Sequence, residues 1–286
     1  MWGKPKLKEG DAMTQWQTEF QENQALWNEL TAVHAGGTAY RLDEFKAGLN
    51  MIDPLERGEV GDVAGKSLLH LQCHFGMDTL SWARLGAHVT GVDFAGDAVA
   101  LARKLSAELG LPAEFVQANL YDAPQALHAT FDIVYTSWGA LCWLPDLARW
   151  GQIIAHFLKP GGFFYIAESH PFLNVFYNED DATGLNVTHS YFHQDEANYW
   201  PPDKDYAEPQ VRVQHASYEW LHSVGEIQNA LCDAGLRIDF FHEHPVLPWQ
   251  YFPFMERGED GWYRLPPGYP PLPLSFSLKA SQLATN

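Results

Sequence analysis

A glycine and an aspartate in the first third of the chain stand where a nucleoside-binding site needs them. Gly76 ends a short loop, 72–76, that follows a predicted strand, and Asp93 ends the next predicted strand. A glycine lets backbone N–H groups approach a ligand, and a carboxylate at a strand tip accepts bonds from both ribose hydroxyls. The loop lacks the G-x-G-x-x-G pattern of dinucleotide sites, which favours a nucleoside without phosphates. Alternatively, Asp93 caps the next helix, although Asp97 is better placed as that cap.

Short apolar runs alternate with helical patterns after residue 60. Strands joined in this way by helices form an open parallel sheet with helices on both faces. The last run alternates apolar and polar residues, which is typical of an added antiparallel strand. We therefore expect an α/β fold with a doubly wound, mostly parallel seven-stranded sheet and a final antiparallel strand, and we expect 159–162 to be a turn. The predicted strands are 67–71, 88–93, 114–118, 131–136, 163–167, 237–243 and 274–280.

Two segments lack this alternation of strands and helices. Residues 1–60 are polar with spaced aromatic side chains, which predicts an N-terminal helical lid or brace. The main domain is predicted to run over 61–286, and the stretch 170–217 is an aromatic-rich insertion after the fifth strand. The insertion is interpreted as a cap over the substrate, because its rings would line a pocket. The alternative is a satellite core or a dimer contact.

The net charge of −18 is informative about partners. A chain this acidic repels a phosphate backbone, so no nucleic acid is expected as a partner, and a small molecule that is neutral or cationic is favoured. The three cysteines form no CxxC pair, and no apolar stretch is long enough to span a bilayer. We expect a cytoplasmic protein without membrane contact, as a monomer or homodimer.

The segment Leu69 to Phe94, LHLQCHFGMDTLSWARLGAHVTGVDF, resembles the first two motifs of the class I, Rossmann-like methyltransferases that use S-adenosylmethionine (SAM). Three later segments, FDIV at 131–134, LKPGG at 158–162 and PLSFSLKA at 273–280, are similar to that family's fourth strand, fifth-strand entry and final strand. The loop resembles that of a bacterial subgroup with LHLQCHFG. The resemblance implies a SAM-dependent methyltransferase (EC 2.1.1) that methylates a small molecule by in-line displacement.

The resemblance also implies which residues contact SAM. Asp93 would bind the ribose and Phe94 would pack on the adenine, while Ser137 and Trp138 would lie beside the methionyl sulfonium. The family usually carries an acidic residue at the position of His70 and two further glycines in the loop. The residues that bind the methionine amino group are therefore expected to differ from those usual in the family. The complete predicted cofactor set is His70, Gln72, Gly76, Asp93, Phe94, Asn119, Leu120, Ser137 and Trp138.

Two histidines are candidates for a general base, which methyl transfer needs only when the acceptor carries a proton. His170 follows the fifth strand and His74 lies in the loop after the first, both at the expected catalytic rim. The alternative for each is a structural hydrogen bond. His242 and His244 share a face of one strand but lack a third ligand, so no metal site is expected.

Two other functions fit the pattern less well. A protein of the same fold could bind SAM as a sensor or scaffold without transferring a methyl group, as the unusual His70 suggests. A nicotinamide-dependent dehydrogenase shares the acidic ribose anchor, but the missing glycine fingerprint and the LKPGG segment argue against it.

Overall fold

The computed structural model of the protein describes residues 16–176 and 181–283. Residues 1–15 of the predicted lid and 177–180 of the predicted insertion lie outside these ranges. The central element is a seven-stranded sheet in the order β3-β2-β1-β4-β5-β11-β8, in which β11 runs antiparallel to both of its neighbours. This confirms the predicted fold class. The strands are β1 (Ser67–Leu71), β2 (His88–Asp93), β3 (Ala113–Gln117), β4 (Phe131–Thr136), β5 (Leu158–Ser169), β8 (Arg237–His244) and β11 (Ser275–Ser281).

Helices cover both faces of the sheet because successive strand residues point to opposite sides. Leu69 and Val134 belong to one buried cluster, and Leu68 and Ile133 belong to another. None of the helices within the described ranges is long and apolar enough to cross a membrane. The helices are α1 (Gln17–Gly36), α2 (Leu42–Lys46), α3 (Pro54–Val60), α4 (Met77–Arg84), α5 (Gly96–Leu109), α6 (Ala123–Ala126), α7 (Leu147–Phe157) and α8 (Val224–Asp233).

Two local predictions were wrong. The segment 159–162 is part of β5 and not a turn before it. The pairing of β4 with β5 is irregular here: Phe131 pairs with Leu158 and Ile133 pairs with Phe163, so the Pro-Gly-Gly sequence between them forms a bulge in the strand. Asp97 lies in the first turn of α5 but makes no capping bond, and the N-cap position is Ala95.

The N-terminal helix α1 contacts the hairpin that closes the insertion. Asn23 of α1 exchanges two 2.8 Å hydrogen bonds with the backbone of Tyr218, which belongs to a short hairpin that starts in the insertion and ends just after it. That hairpin consists of β6 (Asn198–Trp200) and β7 (Ser217–Glu219). A second hairpin pairs β9 (Glu256–Arg257) with β10 (Tyr263–Arg264). Both α1 and the insertion therefore lie close to the loops that follow the parallel strands.

Candidate functional site

The loop after β1 lies at the switch point of the sheet, because β1 pairs with β2 on one side and with β4 on the other. Three of its residues have a left-handed backbone: Gln72 at φ 57°, His74 at φ 48° and Gly76 at φ 78°. Only glycine adopts this region without steric cost, so Gln72 and His74 store strain, which is common at functional sites. The loop therefore holds two residues other than glycine in a conformation that glycine adopts more readily.

Gly76 is required for packing as well as for its backbone angle. A Cβ atom at this position would lie 2.7 Å from the ring of Phe115 on β3 and 3.1 Å from the Cβ of Ala102 on α5. The turn therefore lies directly against the neighbouring strand and helix.

Asp93 ends β2 and is 6% exposed. Its Oδ2 accepts a 2.7 Å hydrogen bond from the backbone N–H of His74, and its Oδ1 accepts one of 2.9 Å from Ala95. The second bond is local to the turn before α5 and does not cap the helix, which has no side-chain capping bond. Burial raises the pKa of Asp93 to about 6, although these hydrogen bonds oppose the shift.

A cavity of about 380 Å³ is lined by Phe94, the residue that follows Asp93, although Asp93 itself is not part of the lining. Phe94 is thus placed as expected of an adenine-packing residue. Asn119 lines the cavity too, and its Oδ1 accepts a 3.0 Å bond from the N–H of Tyr121, so the same residue also stabilises the turn after β3. Leu120 does not line the cavity; its side chain belongs to the main hydrophobic core. The lining residues are Gln17, Phe20, Gln21, Gln24, Phe94, Asn119 and Asp122.

Three glutamines of this cavity were not among the predicted site residues. Gln17, Gln21 and Gln24 follow the i, i+4, i+7 spacing of one helix face, and Gln24 donates a 2.6 Å bond to the carbonyl of Phe94. A run of amides on one face of the predicted lid helix was the signal that could have identified them. These side chains offer both donors and acceptors to a nucleobase.

His70 has no ring nitrogen left for a ligand. It is 1% exposed; its Nδ1 lies 2.8 Å from Thr79 Oγ1 and its Nε2 lies 3.1 Å from Ser137 Oγ. Burial lowers the pKa of His70 to about 3, so the ring is neutral. This corrects the expectation that His70 contacts the cofactor, because the ring instead ties β1 to α4 and to Ser137.

Two polar side chains, one in the loop 72–76 and one at the start of α4, are candidates to bind a cation. The Nε2 of Gln72 donates a 2.9 Å bond to the carbonyl of Ala140, which leaves its Oε1 buried with no partner among the described residues. Asp78 lies in the first turn of α4, and burial together with the charge of Asp53 raises the pKa of Asp78 to about 6. Trp138 donates from Nε1 to Glu56 at 3.4 Å.

His170 does not line either cavity, and its environment argues against a role as base. Its Nδ1 accepts a 3.1 Å bond from the N–H of Phe172, and its Nε2 lies 3.1 Å from a carboxylate oxygen of Glu243. The ring is 4% exposed and is directed towards β8 and β11. The structural alternative describes this side chain better.

His74 belongs to a buried chain of three side chains. Its Nε2 lies 3.2 Å from Nδ1 of His34 on α1, and Nε2 of His34 lies 3.1 Å from Oδ1 of Asp205 in the insertion. Burial and the neighbouring His34 hold the pKa of His74 well below its usual range. The histidine therefore connects the loop to α1 and, through His34, to the insertion, and its geometry gives no support to a catalytic role.

The remaining histidine pair is engaged within the protein. His242 Nδ1 lies 2.7 Å from Glu59, and His244 Nε2 lies 3.1 Å from Ser277 Oγ. Within residues 16–176 and 181–283, no three His, Cys, Asp or Glu side chains are grouped so as to hold a metal ion.

The sheet order, the loop at the switch point and Asp93 at the tip of β2 define the Rossmann-like methyltransferase fold. Residues 69–166 match the family described as "Methyltransferase domain". A SAM-dependent methyltransferase from Mesorhizobium loti superposes with a TM-score of 0.57 at 23% identity, covering 82% of this chain and 99% of that one. One from Methanosarcina mazei superposes with a TM-score of 0.52 at 18% identity, covering 82% and 99%. These likenesses show the fold.

Curated relatives match over part of their length. The ubiquinone biosynthesis O-methyltransferase of Cronobacter sakazakii is 33% identical over 128 residues, which is 43% of this chain and 52% of the relative. The enzyme of the same name from Proteus mirabilis is 27% identical over 157 residues, 49% of this chain and 64% of the relative. The chain thus spans about half to two thirds of the length of these relatives.

Proposed function

We propose that the protein is a SAM-dependent methyltransferase acting on a small-molecule acceptor, and that its loop belongs to the bacterial LHLQCHFG type. The observation that carries this is the position of Asp93 at the tip of β2, where it is hydrogen-bonded to the loop 72–76 and directly precedes Phe94, which lines the 380 Å³ cavity. A carboxylate has roughly four acceptor sites, so bonds to His74 and Ala95 leave capacity for the ribose hydroxyls. The match of residues 69–166 to a methyltransferase domain supports the same cofactor.

The adenine of SAM would occupy the cavity between Phe94 and Asn119, below the amide side chains of α1. The methionyl amino group would be held by the unpartnered Oε1 of Gln72 and by the carboxylate of Asp78. Asp78 thereby replaces the acidic residue that the family usually has at the position of His70. When bound, SAM supplies an electrophilic methyl group, and the main work of the chain is to align the acceptor and exclude water.

We further propose that α1 and α2 within residues 1–60 act as a lid and that the insertion 170–217 acts as a cap on the domain 61–286. The contact between His34 and Asp205 supports this, because it joins the two segments above the loop that carries His74. A closed lid would exclude water from the reacting groups.

Calorimetric titration of the whole chain with SAM, S-adenosylhomocysteine and NAD tests the proposal. We expect the first two to bind and NAD not to bind, and we expect Asp93→Ala to abolish binding of both. Asp97→Asn is the matched control, since Asp97 lies four residues away and makes no capping bond. Binding of NAD in preference to SAM, or unchanged SAM affinity in a folded Asp93→Ala variant, would contradict it. SAM binding without methyl transfer to any acceptor would favour the sensor alternative.

A further inference from the structure

A second cavity, of about 400 Å³, lies at the carboxyl ends of β4 and β5. Gly139 and Cys142 come from the segment after β4, and Glu168 and Ser169 end β5. The carbonyl of Ala140, which accepts the bond from Gln72, lies in the same segment. The cavity therefore adjoins the loop proposed to hold the methionyl end of SAM, on the side where a methyl acceptor would approach.

The hairpin β6–β7 presents one face to this cavity. In its register Asn198 pairs with Glu219 and Trp200 pairs with Ser217, so these four residues share a face. Three of them, Asn198, Trp200 and Glu219, line the cavity. The register of the hairpin thus places a carboxylate and an indole over the ends of the parallel strands.

The two carboxylates of the cavity differ in how they are satisfied. Glu168 accepts bonds from the backbone N–H groups of Gly139, Ala140, Leu141 and Ser169, so its charge is compensated by the protein. Among the described residues, Glu219 has only a 3.4 Å hydrogen bond from Ser217 Oγ and one from the neighbouring Trp200 indole. The described lining residues include neither Lys nor Arg. Glu219 is therefore a charged group whose natural partner is a cation on the ligand.

We propose that this cavity binds a small amine as the methyl acceptor and that Glu219 contacts its ammonium group. The proposal rests on the methyltransferase function proposed above. The walls suit a cation, because a positive group is attracted to the faces of aromatic rings as well as to a carboxylate. The aromatic side chains of the lining are Phe176, Trp200, Trp220 and Tyr251.

Glu219 also provides a destination for the proton that the amine must lose. Burial raises the pKa of Glu219 to about 7, so its carboxylate accepts a proton near neutral pH. The freed nitrogen lone pair then forms the new N–C bond as the methyl carbon separates from sulfur, whose electron pair stays in S-adenosylhomocysteine. The methylated amine leaves as a cation. The other titratable groups that line the cavity are Cys142, Glu168, His189, His222 and Tyr251.

Three ligands of nearly equal shape test the charge preference: 2-phenylethylamine, 2-phenylethanol and phenylacetate, titrated into the chain saturated with S-adenosylhomocysteine. We expect the amine to bind at least about tenfold more tightly than the alcohol, as one charged hydrogen bond allows. Phenylacetate should bind most weakly. The preference should grow from pH 6 to pH 8 as Glu219 ionises.

In Glu219→Gln the amine should bind no better than the alcohol at any pH in this range. Glu196→Gln is the matched control, because Glu196 is an exposed acid that lies two residues before β6 and outside the cavity lining. Equal binding of amine and alcohol to the wild type, binding of none of the three, or a preference that survives in Glu219→Gln would overturn the proposal. S-adenosylhomocysteine should bind all three proteins alike, and its failure to bind the wild type would instead count against the methyltransferase function.

Discussion

The carboxylate of Asp93 accepts a 2.7 Å hydrogen bond from the backbone N–H of His74, across the gap between the loops after β2 and β1. The Asp93 side chain thus fixes the position of the loop 72–76, and Asp93 and this loop are both proposed to contact the same cofactor. Because His74 has a left-handed backbone at φ 48°, this bond also helps to hold a conformation that a histidine seldom adopts. Asp93 is therefore both a ligand candidate and a structural support of the loop.

The affinity for SAM should depend on pH through Asp93. Its pKa of about 6 means that the carboxyl group is largely protonated below that pH in the free protein. Ribose hydroxyls donate to the ionised form, so binding releases a proton there, and affinity should fall by up to about tenfold for each pH unit below 6. Calorimetry between pH 5 and pH 8 measures this.

Asp93→Asn should bind SAM more weakly at pH 8 and lose the part of the pH dependence that Asp93 causes. Thermal unfolding of the variant must accompany the titration, because its amide places a donor against one of two backbone N–H groups. If a folded Asp93→Asn variant keeps the slope of the wild type below pH 6, Asp93 is not the group that titrates.

Gly76→Ala should lower the free energy of unfolding more than Gly110→Ala. Both glycines have a left-handed backbone, with φ of 78° and 62°, so alanine costs about 1–2 kcal/mol at each. At Gly110 nothing lies within 4 Å of the added Cβ, whereas at Gly76 it meets Phe115 at 2.7 Å. Overpacking of this kind costs a further ~1–3 kcal/mol. Urea unfolding of the two variants compares them directly, and equal losses would show that the loop can move away from β3.

The sheet and Asp93 could be predicted from the sequence because both depend on local patterns. Apolar runs mark the strands, and an aspartate at the end of the second strand stands at a position set by topology. LKPGG was misassigned because β5 accommodates its Pro-Gly-Gly sequence as an irregularity, where the register against β4 passes from Leu158 directly to Phe163. Propensity is a weak guide where tertiary pairing decides.

The contacts of the histidines could not be predicted, because their partners are distant in the sequence. His70 meets Ser137, and His34 meets Asp205, which lies 171 residues away. A histidine near a strand end has the same local signature whether its nitrogens face a ligand or a neighbouring side chain. His170 illustrates this, since Glu243 from β8 occupies the space beside its Nε2.

Asp78→Asn should weaken the binding of ligands that carry the methionyl amino group, and it should leave the affinity for ligands without that group unchanged. Loss of a charged hydrogen bond lowers affinity by about tenfold or more. S-adenosylhomocysteine has the amino group and 5′-methylthioadenosine lacks it, so titration with both isolates the contact. We expect only S-adenosylhomocysteine to lose affinity. An equal loss for both ligands would mean that Asp78 acts through the fold of α4 rather than on the amino group.

Breaking the contact between His34 and Asp205 should loosen the lid. Both side chains are fully buried, and Asp205 also accepts bonds from the N–H groups of Ala207 and Glu208, so Asp205→Asn should lower the free energy of unfolding by about 2–3 kcal/mol. Asp203→Asn is the matched control: its ion pair with Arg212 is mostly exposed and should contribute under about 1 kcal/mol. Hydrogen exchange in α1 and release of SAM should both accelerate in Asp205→Asn alone. Unchanged exchange in α1 alongside a general loss of stability would show that this contact supports the core and does not control the lid.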